Sequence, residues 1–576
     1  MAPDASRKGK RMSPQAHEVV ESAPVAPAAV RVSPAAPDKI GSWAALISAL
    51  TLLSRVLGMV REMIAARYFG AGLVQSAFTV AFTIPNIFRR LFGEGALSAA
   101  FIPLYSEAVR NRSPEEARRF ASSAIAFLAV VLTALTIIGE LLIWAAASLL
   151  HIRSDHMLAV KLTAILLPYA LLVCGMAFLS AILQVHRRFA AAAAAPVVLN
   201  VVLIVATLLG AQVFDLRTQE GQRQAIYLVS LSVLAGGVLQ VLMLVPSLRG
   251  AGFRFTWGAI WTPAIRTMVK LSLPVALGAV VMQVSVLLDR AISLLLAQGA
   301  DPSGALVTHF GFLGWNVAYP MEHGAAARLA WAQYVYQFPL GVFAIALATA
   351  VFPTLSSAAI EADRLRFGQV VSQGLRVALW EGLPASVGLA IVAPEVVRVL
   401  FEGGRFGPRD TELMAGALRV YALGIWAFSI QQIINRAYYA LHDMTTPLVM
   451  SIVNLAINLA VEIPLLWPMG EAGMAAGTTI SFTAQSLLML WMLNRKTGGL
   501  QLGSLKGFAA RVLAATAVMA GACLIAQRLP IFPADGSRMA ALVRLVVVMT
   551  VGAAAYLGVC AGIGVNSAGK LLRRAR

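Results

Sequence analysis

From Ile40 onward the chain alternates long apolar runs with short polar connections. A spanning helix needs about 20 mostly apolar residues, and fourteen such segments fit between residues 41 and 566. The stretch 120–139 carries no charged residue, whereas a helix at a water-facing surface shows a polar face every 3.6 residues. The pattern predicts an all-α polytopic membrane protein with about fourteen transmembrane helices. Residues 1–39 break it: they hold six prolines, a basic cluster (Arg7, Lys8, Lys10, Arg11) and no apolar run. This composition predicts a disordered cytoplasmic tail rather than a secretory signal, which would need an apolar core after the basic cluster.

The first twelve segments read as two copies of six. The stretch around Pro85 and Pro103 is matched by one around Pro339 and Pro353, and Pro196 is matched by Pro447. Both pairs of landmarks share an offset near 250 residues. Six spans per copy predicts two parallel six-helix lobes, related by an axis along the membrane normal. The expected division is a tail over 1–39, a first lobe over 40–250, a second over 251–497, and a final helix pair with a basic tail over 498–576. Pro85, Pro274, Pro339 and Pro384 are the expected bending points.

Of the 576 residues 59% are hydrophobic and 13% charged, with a formal net charge of +19. Such a charge would suggest nucleic acid only if the basic residues shared a water-facing surface. They do not: with the amino terminus in the cytoplasm, 27 of the 46 Lys and Arg fall in inside segments, 8 outside and 11 within spans. The positive-inside rule then expects both termini in the cytoplasm. The three cysteines lie far apart in apolar runs, which excludes a disulfide framework and a cysteine-based zinc site.

Enzyme motifs are almost absent. Gly564 to Lys570 has phosphate-loop spacing, but Leu571 stands where Ser or Thr would hold magnesium, and no strand precedes it. The seven histidines show no metal spacing. The chemistry therefore rests on charges inside the spans, where Arg costs about 2.5–3.5 kcal/mol on insertion scales and so faces a cavity or a partner. Arg55, Arg61, Arg89 and Arg90 sit in the first two spans, with Glu62 and Glu94. They read either as an anion site suited to phosphate or as an ion-pair network locking two helices. Asp289 and Arg290, mid-span, read as a local pair or as a coupling-ion or proton site.

SRVLGMVREMIAARYFGAG (54–72) and AFTVAFTIPNIFRRLFGEGALSAAFIPLYSE (77–107) closely resemble the amino-terminal signature of the MurJ/MviN lipid II flippases of the MOP exporter superfamily. The stretches 337–356 and 436–459 resemble second-half motifs of that family, and the likeness covers about 41–566. It implies a central cationic cavity and, as substrate, the undecaprenyl-pyrophosphate-linked disaccharide-pentapeptide of peptidoglycan synthesis. The implied location is the bacterial inner membrane, among membrane lipids and other cell-wall synthesis proteins. Arg55, Arg61 and Arg89 match functional cavity arginines of the family, and Asp289, Asn454, Asn458 and Thr479 match a cation site of some relatives. No cofactor is implied; direction would come from Na+ or H+ coupling or from the membrane potential.

Two departures stand out. Ser76 replaces a common acid, and Tyr334 replaces an arginine, leaving Arg290 or Arg328 to supply the missing charge. The connection 298–327 is also long enough for a gating or lid element. Rival readings are a flippase for another polyprenyl-pyrophosphate glycan, a MATE-like drug or ion antiporter, a membrane glycosyltransferase, or a scaffold.

Overall fold

The computed structural model describes residues 37–93, 96–149, 153–301, 305–312, 314–342, 344–361, 363–500, 502–529 and 537–565. The expected tail over 1–39 lies outside these residues except for its last three, which already belong to the first helix. The end of the basic carboxyl-terminal tail also lies outside them.

The first half of the chain forms α1 (Pro37–Phe69), α2 (Leu73–Phe88), a π-helical turn (Arg89–Gly93), α3 (Ala96–Asn111), α4 (Pro114–Leu149), α5 (Ser154–Leu166), α6 (Tyr169–Val185), α7 (Phe189–Val213) and α8 (Gln219–Gly250). The second forms α9 (Pro263–Leu295), α10 (Ala325–Val342), α11 (Ala344–Ile360), α12 (Arg364–Leu400), α13 (Pro408–Leu423), α14 (Ile425–Ala440), α15 (Thr445–Met469) and α16 (Glu471–Thr497). α17 (Leu502–Gln527) and α18 (Arg538–Gly562) complete the bundle. Thr218, Thr262, Asp363 and Ser537 start their helices by accepting a backbone N–H three residues on, which satisfies a donor that the first turn leaves free.

Among the described residues, seven helices (α4, α7, α8, α12, α15, α17 and α18) are long and apolar enough to cross a membrane, and α5–α6 and α13–α14 add two bent spans. α4 turns Ile137, Leu141 and Leu142 outward, each more than half exposed, as a lipid-facing helix does. Among the described residues, length and composition account for nine of the fourteen expected segments. The other five segments are α1, α2–α3, α9, α10–α11 and α16. α1 carries Arg55, Arg61 and Glu62, α9 carries Asp289 and Arg290, α16 carries several Thr and Ser, and α2 passes into a π turn.

The repeat is visible in the backbone. α5–α6 bends by 41° and α13–α14 by 43°. α6 and α14 are followed by non-glycine residues in the left-handed region, Arg187 at φ 57° and His442 at φ 55°. α2 gives way to the π turn just after Pro85, and Pro339 lies inside α10 at the matching place in the second half. A proline removes one N–H from the ladder and pushes on the preceding turn, which accounts for the π turn. α9 and α12 run through Pro274 and Pro384 as helix.

One apolar core is built from α2 to α9 and a second from α11 to α18. The first continues past residue 250 through Ile265 and Met268 of α9. A third joins the halves at the end of the bundle where α1 finishes, called the distal end below, through Ala66, Trp331, Phe401 and Phe406. Connection 298–327 forms two short hairpins there, β1 (Gly299–Ala300) with β2 (Leu306–Val307) and β3 (His309–Phe312) with β4 (Trp315–Ala318). Arg153 donates to the Tyr319 hydroxyl and lies 5.2 Å from its ring centre, tying the hairpins to the first half.

A cationic cavity between the two halves

α1, α2, the π turn and α7 from the first half, with α9 and α10 from the second, enclose a cavity of about 450 Å³. Arg55, Arg61, Arg89, Arg90 and Arg290 all line it, and among the described lining residues Glu62 is the sole acid. A wall with five guanidinium groups and one carboxylate is a site for a multiply charged anion.

The backbone places these arginines. Arg89 and Arg90 open the π turn after Pro85, a widened turn of a kind common at functional sites. Asn86 accepts from Arg89 Nε at 3.3 Å while its own amide donates to the Phe82 carbonyl at 2.8 Å. Arg61 donates to Asn200 of α7 at 3.1 Å and is paired with Glu62. Asn200 in turn donates to the Ser54 carbonyl at 3.0 Å. Arg55 reaches over Gly341 of α10, where a Cβ would lie 1.9 Å from its Nη1.

Tyr334, which takes the place of the expected arginine, extends from α10 to α1. A Cβ on Gly58 would lie 2.3 Å from its hydroxyl. The positive charge of the second half comes from Arg290, whose Nη2 donates to Gln333 at 2.5 Å; Gln333 then donates to Tyr421 at 3.0 Å. Arg328 does not serve. It is 1% exposed and paired with Asp410 at 2.7 Å and Glu471 at 2.6 Å at the distal end. Glu94 lies outside the described residues.

Beside Arg290, the Asn458 amide donates to Asp289 at 3.1 Å and to Glu462 at 3.0 Å. Glu462 is fully buried, and Asn454 is buried one turn before Asn458. Among the described residues, Asn454 Nδ2, Asn458 Oδ1 and Glu462 Oε1 have no hydrogen-bond partner. Thr479 does not join this cluster through its hydroxyl, which donates to the Val420 carbonyl at 3.0 Å instead. Glu462 is not among the residues the sequence predicts for the site, although its i+4 and i+8 spacing from Asn458 and Asn454 places all three on one helix face. Asn200, Gln333 and Trp331 also join the site only through the fold.

The distal end holds the halves together. The Arg405 N–H donates to the Arg67 carbonyl at 2.9 Å, and Arg405 Nη1 to the Leu216 carbonyl at 2.5 Å. The Ala327 N–H donates to Ser76 at 3.4 Å.

Two helical halves around a buried polar cavity define a multi-pass membrane transporter. A solved structure described as lipid II flippase MurJ in an inward closed conformation covers 90% of this chain and 98% of its own, with a TM-score of 0.69 at 24% identity. An inward-facing multidrug MATE transporter of the MOP superfamily covers 80% of the chain with a TM-score of 0.61 at 14% identity, a likeness of fold alone. The family described as lipid II flippase MurJ matches residues 65–546. A probable lipid II flippase MurJ of Vibrio cholerae is 30% identical over 83% of this chain and 87% of its own. Its counterpart in Rhizobium meliloti is 29% identical over 90% and 93%. The chain belongs to the lipid II flippase MurJ family.

Proposed function

We propose that the protein moves lipid II from the cytoplasmic to the outer leaflet of the bacterial inner membrane, for cell-wall synthesis. The observation that carries this reading is the set of five arginines around one carboxylate in a cavity walled by both halves. Pyrophosphate is the part of lipid II that needs such a site: Arg stays charged in a dry setting and binds phosphate oxygens in pairs. The disaccharide is uncharged, and the peptide carries separated single carboxylates rather than paired phosphates. The polyprenyl tail stays in lipid, so only the head group needs a protein path.

The cycle is alternating access. Both termini lie in the cytoplasm, so the distal end faces outward and is shut here by the Arg405 and Ser76 contacts. The head group enters laterally between α1 and α10, meets Arg55, Arg61, Arg89 and Arg290, and leaves when the distal contacts part. The chain works as a transporter and not as an enzyme. Moving one charge across the membrane gains about 2.3 kcal/mol per 100 mV. The Asp289–Asn458–Glu462 cluster is where a coupling ion would act, because two buried carboxyl groups sharing one amide need a proton or a small cation between them. A drug antiporter for cationic compounds would need the opposite sign in the cavity.

The test is complementation in cells depleted of their own lipid II flippase. Arg55→Ala and Arg89→Ala variants, expressed at the level of the unaltered protein, should fail to restore growth. Normal growth with both variants contradicts the phosphate-contact role.

A further inference from the structure

An unbroken run of contacts joins the phosphate site to the distal closure, and Trp331 is its middle member. One oxygen of Glu62 is engaged by Arg61, and the other accepts the Trp331 indole N–H at 2.8 Å from the opposite half of the molecule. The indole is 1% exposed. Its ring centre lies 5.8 Å from Phe401, in a stacked arrangement, and 5.8 Å from Phe406. These two phenylalanines bracket the short turn whose Arg405 bonds to the Arg67 and Leu216 carbonyls of the first half.

We propose that Trp331 is a positioning residue of the transport cycle: it clasps Glu62 and so holds the distal end shut until a pyrophosphate occupies Arg61. The inference rests on the phosphate reading of the cavity. A pyrophosphate oxygen takes the guanidinium donors that Glu62 uses, since it carries more charge and fits the same planar fork. Its charge then lies beside a Glu62 that has lost its counterion, and the two repel in a poorly screened site. Glu62 shifts away from the indole, and Trp331, Phe401 and Phe406 are free to move with the Arg405 turn. A ligand biases a two-state protein only through contacts that differ between the states; the Glu62–Trp331 bond, made across the halves, is such a contact. A phenylalanine at 331 would keep the aromatic packing and lack the N–H, so packing and clasp can be separated.

The test uses the full chain in lipid nanodiscs with spin labels at Arg217→Cys and Glu412→Cys, two exposed positions on opposite sides of the distal seam. The native Cys174, Cys523 and Cys560 are buried. In the otherwise unaltered protein, undecaprenyl pyrophosphate should lengthen the distance. Trp331→Phe should give the longer distance without it, raising the open-to-closed ratio about tenfold, the size of effect expected for one charge-assisted hydrogen bond. Glu62→Gln keeps an acceptor for the indole but lacks the charge, so it should stay short when undecaprenyl pyrophosphate is added. The proposal is overturned if Trp331→Phe matches the unaltered protein without the probe, or if Glu62→Gln opens on adding it. Failure of the unaltered protein to bind undecaprenyl pyrophosphate would sink the phosphate reading instead, and the probe-free comparison would still decide the clasp.

Discussion

Arg290 donates from Nη2 to the side-chain oxygen of Gln333 at 2.5 Å, and this bond sets the guanidinium of the second half on the cavity wall. Gln333 is itself held by Tyr421, so the three form a relay from α13 through α10 to α9. Arg290→Ala should weaken binding of undecaprenyl pyrophosphate about tenfold or more, the loss expected for one charge-assisted contact of about 1.5–3 kcal/mol. Gln333→Leu should weaken it less, because the cation remains and only its aim is lost. Titration of both variants with undecaprenyl pyrophosphate checks the order.

Arg328 should behave in the opposite way. It is buried between Asp410 and Glu471, and removing one member of a buried ion pair costs about 3–5 kcal/mol because the remaining charges are left unpaired. Arg328→Met is therefore expected to lower the unfolding temperature in detergent strongly. Arg328→Met paired with Glu471→Gln should recover part of that loss. The affinity of whatever folded protein remains for undecaprenyl pyrophosphate should stay close to that of the unaltered chain.

Gly58 and Gly341 are needed for close approach between α1 and α10. A Cβ at Gly58 would lie 2.3 Å from the Tyr334 hydroxyl, and one at Gly341 would lie 1.9 Å from Arg55 Nη1. Overpacking of this kind costs about 1–3 kcal/mol. Gly58→Ala should lower thermal stability, and Tyr334→Phe, by removing the oxygen that clashes, should restore much of it. Gly341→Ala should instead displace Arg55 and reduce transport more than stability.

Asp443, in the connection between α14 and α15, gives a pH signature outside the membrane. Burial pushes its carboxyl up, but hydrogen bonds from Lys496 and Thr446 outweigh that and hold it down at about 2. A carboxyl depressed in the folded state stabilises above its unfolded value near 4, and that stability fades as pH falls toward 2. Lys496 is 48% exposed, so solvent screening limits the contribution to about 1–2 kcal/mol. The melting difference between the unaltered protein and Asp443→Asn should be constant from pH 8 to 5 and shrink below pH 4.

The first half of the site was legible in the sequence because Arg within a span is rare and costly, so Arg55, Arg61, Arg89 and Arg90 mark a cavity before any fold is known. The choice between Arg290 and Arg328 was not legible. Both lie near the departure at Tyr334, and only packing shows that Arg328 is neutralised by acids from α13 and α16. Glu462 is a single acid in an apolar span, and only its spacing from Asn458 marks it in the sequence. Thr479 is marked only by the family resemblance, and its hydroxyl turns to Val420. Trp331 gave no signal, since its partner Glu62 is 269 residues away and a tryptophan in an apolar span usually reads as core. Among the helices, α1, α2 and α9 depart from the ideal apolar span where the cavity arginines sit, whereas α7 and α15 keep a clear apolar span and still carry Asn200 and the Asn458–Glu462 pair.

The most direct test of the central claim is the amount of lipid II exposed at the outer surface of depleted cells, read by a membrane-impermeant enzyme that cleaves lipid II. With this protein supplied from a plasmid, cleavage should match that of undepleted cells. With Arg61→Ala supplied instead, lipid II should accumulate uncleaved while O-antigen export continues. Cleavage at the undepleted level with Arg61→Ala, or with no flippase supplied at all, would contradict the account.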